Sequence, residues 1–193
     1  MNDLSKPVCI TAHELVAGTT RVWKDDHHPS LKGGGEQLVW KVATATAAAP
    51  TFFAPMQIDH EDSHVDGGVW ANNPALVGIT EAIRYFGRDL SEIRMLSVGT
   101  TSRVFRIKDH RTATKMGAIG WALRTLDLLQ GTVSMAADRQ AMHLLPDGQY
   151  ARIDSELAEK IRRDNVDECR PLRERGAQTA RNTERQVRDV LGL

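Results

Sequence analysis

The sequence predicts an α/β domain with a largely parallel sheet, and three observations carry that reading. Short β-branched, apolar runs alternate with stretches of helical apolar spacing, as in Pro74–Phe86 followed by Ile93–Val98. Proline and glycine punctuate the joints, with Pro50 and Gly87 at helix ends and Gly18 between two strand-like runs. The chain of 193 residues is long enough for one domain with a real core.

Taken in order, Pro7–His13 (PVCITAH) and Arg21–Lys24 (RVWK), separated by the turn signal Ala17-Gly18-Thr19, read as a hairpin or two adjacent strands. Asp25–Gly35 (DDHHPSLKGGG) reads as loop by its Pro, Gly and charge content. A helix is expected from near Glu36, with Leu38, Val39 and Val42 on one side, running through the alanines to Pro50, which cannot continue it. Thr51–Ile58 carries Pro55, so a strand there is short or at an edge. Val65 leads into Asp66-Gly67-Gly68, after which Asn73 is a suitable N-cap and Pro74 a suitable first helical residue. Leu76, Val77, Ile79, Ala82, Ile83 and Phe86 form that helix's apolar stripe, and Gly87 stops it. Ile93–Val98 reads as a buried strand ending in Gly99-Thr100-Thr101, and Arg103–Thr114 as loop. From Lys115 an amphipathic segment runs to Leu145, with Met116, Ile119, Leu123, Leu126 and Leu129 on its buried side and Gly131 as a break. Tyr150–Ile153 is a further strand, and from Ser155 the chain is helical and charged, with Pro171 and Gly176 as boundaries. There is no internal repeat, and one domain over 1–193 is expected, with a core at 6–145 and a charged helical tail at 155–193.

Composition excludes several classes of function. Net charge is zero, which argues against a nucleic-acid partner. Residues 1–100 carry 8 Lys+Arg against 12 Asp+Glu and residues 101–193 carry 17 against 13, a mild asymmetry that reads as a solvated helical face. Cys9 and Cys169 stand in no metal-ligand spacing and read as free thiols of a reducing compartment. The N-terminus has no apolar signal segment, and the longest uncharged run, Val42–Ile58, is 17 residues and broken by two prolines. A cytoplasmic protein without a transmembrane segment, peripheral at membranes at most, is expected.

The chemistry centres on Ala43–Pro74. On its own, Asp66-Gly67-Gly68 followed by Asn72-Asn73-Pro74 is a pair of turn signals, in which Asp bonds its own backbone and Gly supplies positive φ. A carboxylate at the end of a buried strand, flanked by glycines, also has the reach a general base needs. The surrounding blocks, ATAAAPTFFAP at 45–55 and HVDGGVWANNPALVGITEA at 64–82, resemble the patatin-like phospholipases, a family of lipid acyl hydrolases. KPVCITAHELVAGTTRVWK at 6–24, IRMLSVGT at 93–100 and QYARIDSEL at 149–157 extend the resemblance over most of the chain, to the C-terminal portion of that family. The resemblance implies a partial three-layer α/β/α domain with a mostly parallel sheet, without the family's N-terminal strand and nucleophile-elbow units. It implies a Ser-Asp dyad with Asp66 as base, Gly67 and Gly68 as its support, no cofactor or metal, and a phospholipid or other lipid ester as substrate.

A dyad needs a nucleophile. None of Ser5, Ser30, Ser63, Ser91, Ser97, Ser102, Ser134 and Ser155 has glycine both two before and two after, so the G-x-S-x-G elbow is absent from this sequence. Gly33-Gly34-Gly35 could offer stacked N–H groups to an oxyanion, but its place before a helix favours a flexible loop. Asp59–His64 holds several metal-ligand types, but the run sits between Pro55 and the Asp66 turn, where no helix is expected to align His60 with His64, so it reads as a solvated loop. His13 lies at a strand end, where the resemblance gives it no catalytic role, and His143 reads as a packed or capping histidine. Met116–Leu129 with Trp121 reads as a core helix, or as an apolar edge facing lipid. The expectation is thus an acyl hydrolase inactive by itself, with a separate chain supplying the serine half. The alternative is a truncated, non-catalytic remnant that binds lipid or protein.

Overall fold

The computed structural model describes residues 1–101, 106–107, 109–114, 116–122, 124–156 and 166–193. The expected positions Ser102, Lys115 and Leu123 lie outside them. Backbone contacts divide the chain into two compact units, Met1–Gly87 and Arg88–Leu193. Among the described residues, no helix is long and apolar enough to cross a membrane.

In the first unit, β1 (Cys9–Glu14) and β2 (Thr19–Lys24) form the expected hairpin, antiparallel with Cys9 opposite Lys24 and Glu14 opposite Thr19. Its turn is held by Glu14, whose carboxylate accepts from the N–H groups of Val16 (2.8 Å) and Ala17 (2.6 Å), while Gly18 takes φ 66°. α1 (Val39–Ala47) starts later than Glu36 and buries Val42 and Ala45, leaving Leu38 and Val39 exposed. β3 (His64–Asp66) pairs antiparallel with the other side of β1, giving the order β2-β1-β3. Met56 bridges His64 across the outer edge of β3, so the Pro55 stretch contributes one edge pair. Two helices follow, α2 (Gly68–Ala71) and α3 (Ala75–Phe86). Pro74, not Asn73, is the N-cap of α3, which starts one residue later than expected; Asn73 Oδ1 still accepts from the Ala75 N–H (3.2 Å), and Gly87 ends the helix in the left-handed region at φ 61°. Met1, Ala12, Trp23, Val42, Ala45 and Ile58 form the core cluster of this unit.

In the second unit, β4 (Met95–Val98) and β5 (Tyr150–Ile153) pair in parallel, Met95 opposite Tyr150 and Val98 opposite Ile153. Between them in sequence lie α4 (His110–Thr114), α5 (Ala118–Ala122) and α6 (Thr125–Leu144); α7 (Cys169–Leu191) follows. A short 3-10 turn at Leu90–Glu92 precedes β4, closed by a capping box between Asp89 and Glu92.

Several expectations are corrected here. The described residues form one three-stranded antiparallel sheet and one two-stranded parallel sheet, not a mostly parallel three-layer domain. A hairpin makes one antiparallel pair, and β3 comes back antiparallel to the other side of β1 after α1, a pairing direction that strand-helix alternation in sequence does not reveal. β4 is not buried throughout, since Val98 is 66% exposed. Gly131 does not break α6, and Pro171 and Gly176 do not bound α7. Pro171 lies in the first turn of α7, where a backbone N–H would have no intrahelical partner. Leu129 and Trp121 are exposed rather than core; α6 packs through the small residues Ala137 and Ala141 instead.

Candidate functional site

Asp66 closes β3, half-buried, directly after the buried pair His64 and Val65. Its backbone is fixed twice: it stands opposite Ala12 in the ladder, and its N–H donates to the Ala48 carbonyl beyond α1 (3.0 Å). Its side chain is fixed once, because Oδ1 accepts from the Gly68 N–H at the start of α2 (2.7 Å). Among the described residues Oδ2 has no hydrogen-bond partner. A carboxylate held by one oxygen and open at the other is oriented without being saturated, which suits a proton acceptor.

The glycines act through space rather than through φ, which corrects the expectation of positive φ in this turn. Gly67 has φ −62° and ψ −17°, a conformation open to any residue. A Cβ there would overlap Thr11 Oγ1 and the Thr11 carbonyl on β1. A Cβ on Gly68 would sit 3.1 Å from Asp66 Oδ1 and 3.2 Å from Asn72 Oδ1, pressing on the carboxylate. Trp70 then locks α2 over the sheet by donating its indole N–H to the Ala12 carbonyl (2.9 Å). The Asp-Gly-Gly run is therefore a close-packed strand-to-helix joint.

The other candidates fall out differently. His64 is no part of a solvated loop: it is buried in β3, 5.3 Å from the Trp23 ring, with Nδ1 3.6 Å from Asp62 Oδ2. Asp62 Oδ1 is committed to the N–H groups of Ile58 (2.9 Å) and Asp59 (3.0 Å), and His60 is exposed. Among the described residues, no three His, Cys, Asp or Glu side chains converge to hold a metal ion. Gly34 and Gly35 are packed, not loose: a Cβ on Gly34 would lie 2.6 Å from the Lys24 carbonyl, and one on Gly35 would overlap the Asn2 side chain. The Gly35 N–H faces Asp26 Oδ1 (3.4 Å), so it points at an anion of the protein itself. Ser97, nearest to the elbow spacing, is buried in β4, where Arg152 Nη1 donates to its hydroxyl (2.7 Å). His13 lies within β1 opposite Val65, and His143 is exposed on the last turn of α6.

One cluster escaped the sequence reading. Lys24 on β2 pairs with Glu81 on α3 at 2.5 Å, with side-chain exposures of 12% and 9%. The Lys24 ammonium also lies 4.3 Å from the centre of the Tyr85 ring. Cys9, opposite Lys24, has its thiol pushed up to about 11 by burial and then by the Glu81 charge, against the opposing pull of Lys24. The partners stand 57 residues apart, and Glu81 interrupts an otherwise apolar stripe, the one signal that could have marked it.

Comparison with known proteins now bears on this geometry. Residues 4–79 match the family model described as patatin-like phospholipase, a span that includes Asp66, Gly67 and Gly68. The chain is 30% identical over 171 residues to the cGAMP-activated phospholipase of Vibrio cholerae, covering 85% of this chain and 47% of that protein. It is 29% identical over 147 residues to patatin-like protein 1 of Arabidopsis thaliana, covering 61% of this chain and 36% of the relative. It is 26% identical over 144 residues to the human calcium-independent phospholipase A2-gamma, covering 70% and 17%. The chain thus spans less than half the length of these relatives. The expectation of a resemblance to the family's C-terminal portion is overturned by where the family match falls, although similarity to a relative does run over 85% of the chain. The patatin region is residues 4–79, in the N-terminal part of the chain, and the stretches at 93–100 and 149–157 lie outside it.

Proposed function

We propose that this homologue of the patatin-like phospholipases contributes the base of a lipid acyl hydrolase, with Asp66 as that base. The observation that carries the proposal is the strand-end carboxylate pinned through Oδ1 to the Gly68 N–H, with Oδ2 left over and no Cβ at position 68 to crowd it. The family match over residues 4–79 supports the reaction class, and the phospholipase relatives support a phospholipid or other lipid ester as substrate.

In the proposed reaction a serine hydroxyl attacks the ester carbonyl while Asp66 takes its proton. The tetrahedral oxyanion collapses, the C–O bond to the alcohol breaks, and the alcohol leaves with the proton from Asp66. Water then attacks the acyl-serine, again giving a proton to Asp66, which returns it to the serine oxygen as the fatty acid departs. No G-x-S-x-G occurs in these 193 residues. The serine is therefore contributed by polypeptide outside them, in the same protein or in a second one.

The test combines the chain with a polypeptide bearing a Gly-rich loop and G-x-S-x-G, reading fatty-acid release from phospholipid vesicles and labelling by a fluorophosphonate. The expected result is turnover and labelling on the partner's serine, with Asp66→Asn lowering turnover by about 100-fold or more, the scale of a lost general base. Turnover retained in Asp66→Asn removes Asp66 from the chemistry. Labelling of the 193 residues alone overturns the assignment of the nucleophile to other polypeptide.

A non-catalytic lipid- or protein-binding role is the second reading, favoured by Trp40, Phe52 and Phe53, each more than half exposed on α1 and the loop after it. Vesicle binding without turnover in the same assay would support it.

A further inference from the structure

Strand β4 offers backbone hydrogen-bonding groups on two edges, and β5 uses one of them. In the parallel ladder the Met95 N–H donates to the Gln149 carbonyl (2.8 Å) and the Gly99 N–H to the Ile153 carbonyl (2.8 Å), with Ser97 between them opposite Arg152. Backbone groups alternate in direction along a strand. The odd-numbered residues of β4 therefore face β5, while the N–H and C=O groups of Leu96 and Val98 face the other way. Among the described residues the sheet has two strands, and no backbone hydrogen bond crosses that outer edge of β4.

A parallel pair of this kind is an unfinished sheet. Parallel strands occur in sheets with both faces covered, and an isolated two-stranded unit is marginal in water. Both faces are covered here. α7 packs against β4 and β5 on one, and on the other the Tyr150 hydroxyl of β5 donates to Asp138 of α6 (2.6 Å). Under α7, however, the cover is incomplete towards the outer edge. Leu96 and Val98 line a cavity against Thr179, Thr183 and Val187 of α7, and Val98 remains 66% exposed. Edge strands that must stay single are blunted by charge or proline. β5 carries Arg152, paired with Asp154 (2.9 Å), whereas Met95-Leu96-Ser97-Val98 has neither device.

We propose that the outer edge of β4 takes a further β-strand, supplied by the polypeptide that brings the serine. This rests on the reading of the chain as the base-bearing part of an acyl hydrolase. A G-x-S-x-G serine stands at a strand-to-helix turn, so polypeptide carrying it brings a strand of its own. The chain also spans less than half the length of its phospholipase relatives. The incoming backbone pairs with the N–H and C=O groups of Leu96 and Val98. Its apolar side chains on the α7 side cover Val98 and enter the cavity.

The test mixes the 193-residue chain with a polypeptide bearing a Gly-rich loop and G-x-S-x-G, following amide exchange by NMR and affinity by calorimetry. In the chain alone, the Leu96 and Val98 amides should exchange about tenfold or more faster than those of Ser97 and Gly99, and mixing should remove the difference. Val98→Pro deletes an N–H that β5 does not use, and Val98→Lys puts a charge on the exposed edge. Each should weaken association by about tenfold or more, the scale of a lost ladder bond or a blunted edge, with Ser97 and Gly99 still protected. Asp66→Asn should associate like the parent and lose turnover. Association equal to the parent's in both Val98 variants overturns the proposal and leaves Asp66 as base. Association lost in those variants, with turnover kept by Asp66→Asn, supports the edge and overturns the base. No slowing of Leu96 and Val98 on mixing overturns the proposal, as does protection already present in the chain alone. A homodimer that Val98→Pro dissolves overturns the choice of occupant in favour of a second copy.

Discussion

Gly67 tolerates no side chain, because the wall it touches is backbone and a β-branched residue of the neighbouring strand. Gly67→Ala should lower stability by about 1–3 kcal/mol, the usual cost of forcing a methyl into a packed site, read as a shift in the urea midpoint. A variant as stable as the parent would mean that β1 and the β3–α2 joint separate easily. Sequence alone marked this glycine, but for its conformational freedom; the proximity of Thr11, 56 positions earlier, is not visible in any local pattern. Cys9 offers a second test. Its thiol is raised from 9.0 to about 11, chiefly by burial, so at pH 8 it stays protonated and should react with iodoacetamide more slowly in the native than in the urea-unfolded chain. The sign for stability follows. Between pH 9 and 11 the unfolded thiol loses its proton before the folded one, so the stability contributed by the neutral thiol is intact below pH 9 and falls as pH rises through that window.

At the scale of elements, the hairpin turn depends on one exposed carboxylate. Burial works to raise the Glu14 pKa, but the N–H groups of Ala17 and Val16, with help from the Ser63 backbone and the His64 charge, outweigh it and hold the group below its usual range. A depressed carboxyl contributes stability that is complete above the unfolded value of 4.5 and is lost as pH falls through the folded one. Glu14→Gln should therefore speed amide exchange at Val16 and Ala17 at neutral pH while leaving β1–β2 ladder amides protected; unchanged exchange at both turn positions would discount the capping. The hairpin, α3 and β5 were legible because their signals are local: β-branched runs around Gly18, an apolar stripe closed by Gly87, and YARI after a turn. The buried face of α6 was not, because Leu129 obeys helical spacing without any surface to cover it, and Ala137 and Ala141 do the packing. Periodicity reports that a helix has a face, not that a neighbour meets it.

For the molecule as a whole, pairing order was the least legible property. β3 returns to β1 across more than 40 residues of loop and helix, and nothing in VDGG specifies direction or partner. Surface character was also hidden. Trp40, Phe52 and Phe53 are large apolar residues, yet they are exposed. Trp40→Ser with Phe53→Ser should reduce the fluorescence of bound ANS by about half or more without lowering the melting temperature, as for an accessible apolar surface rather than a core. The buried Lys24–Glu81 pair ties β2 to α3 and is harder to alter than either residue's chemistry suggests. Lys24→Met alone should cost about 3–5 kcal/mol by leaving a buried carboxylate uncompensated, whereas Lys24→Met with Glu81→Leu should recover most of that loss in thermal melts. Evolution meets the same barrier one substitution at a time. Positions 24 and 81 should accordingly drift in step among descendants of this sequence, each lineage keeping both charges or neither.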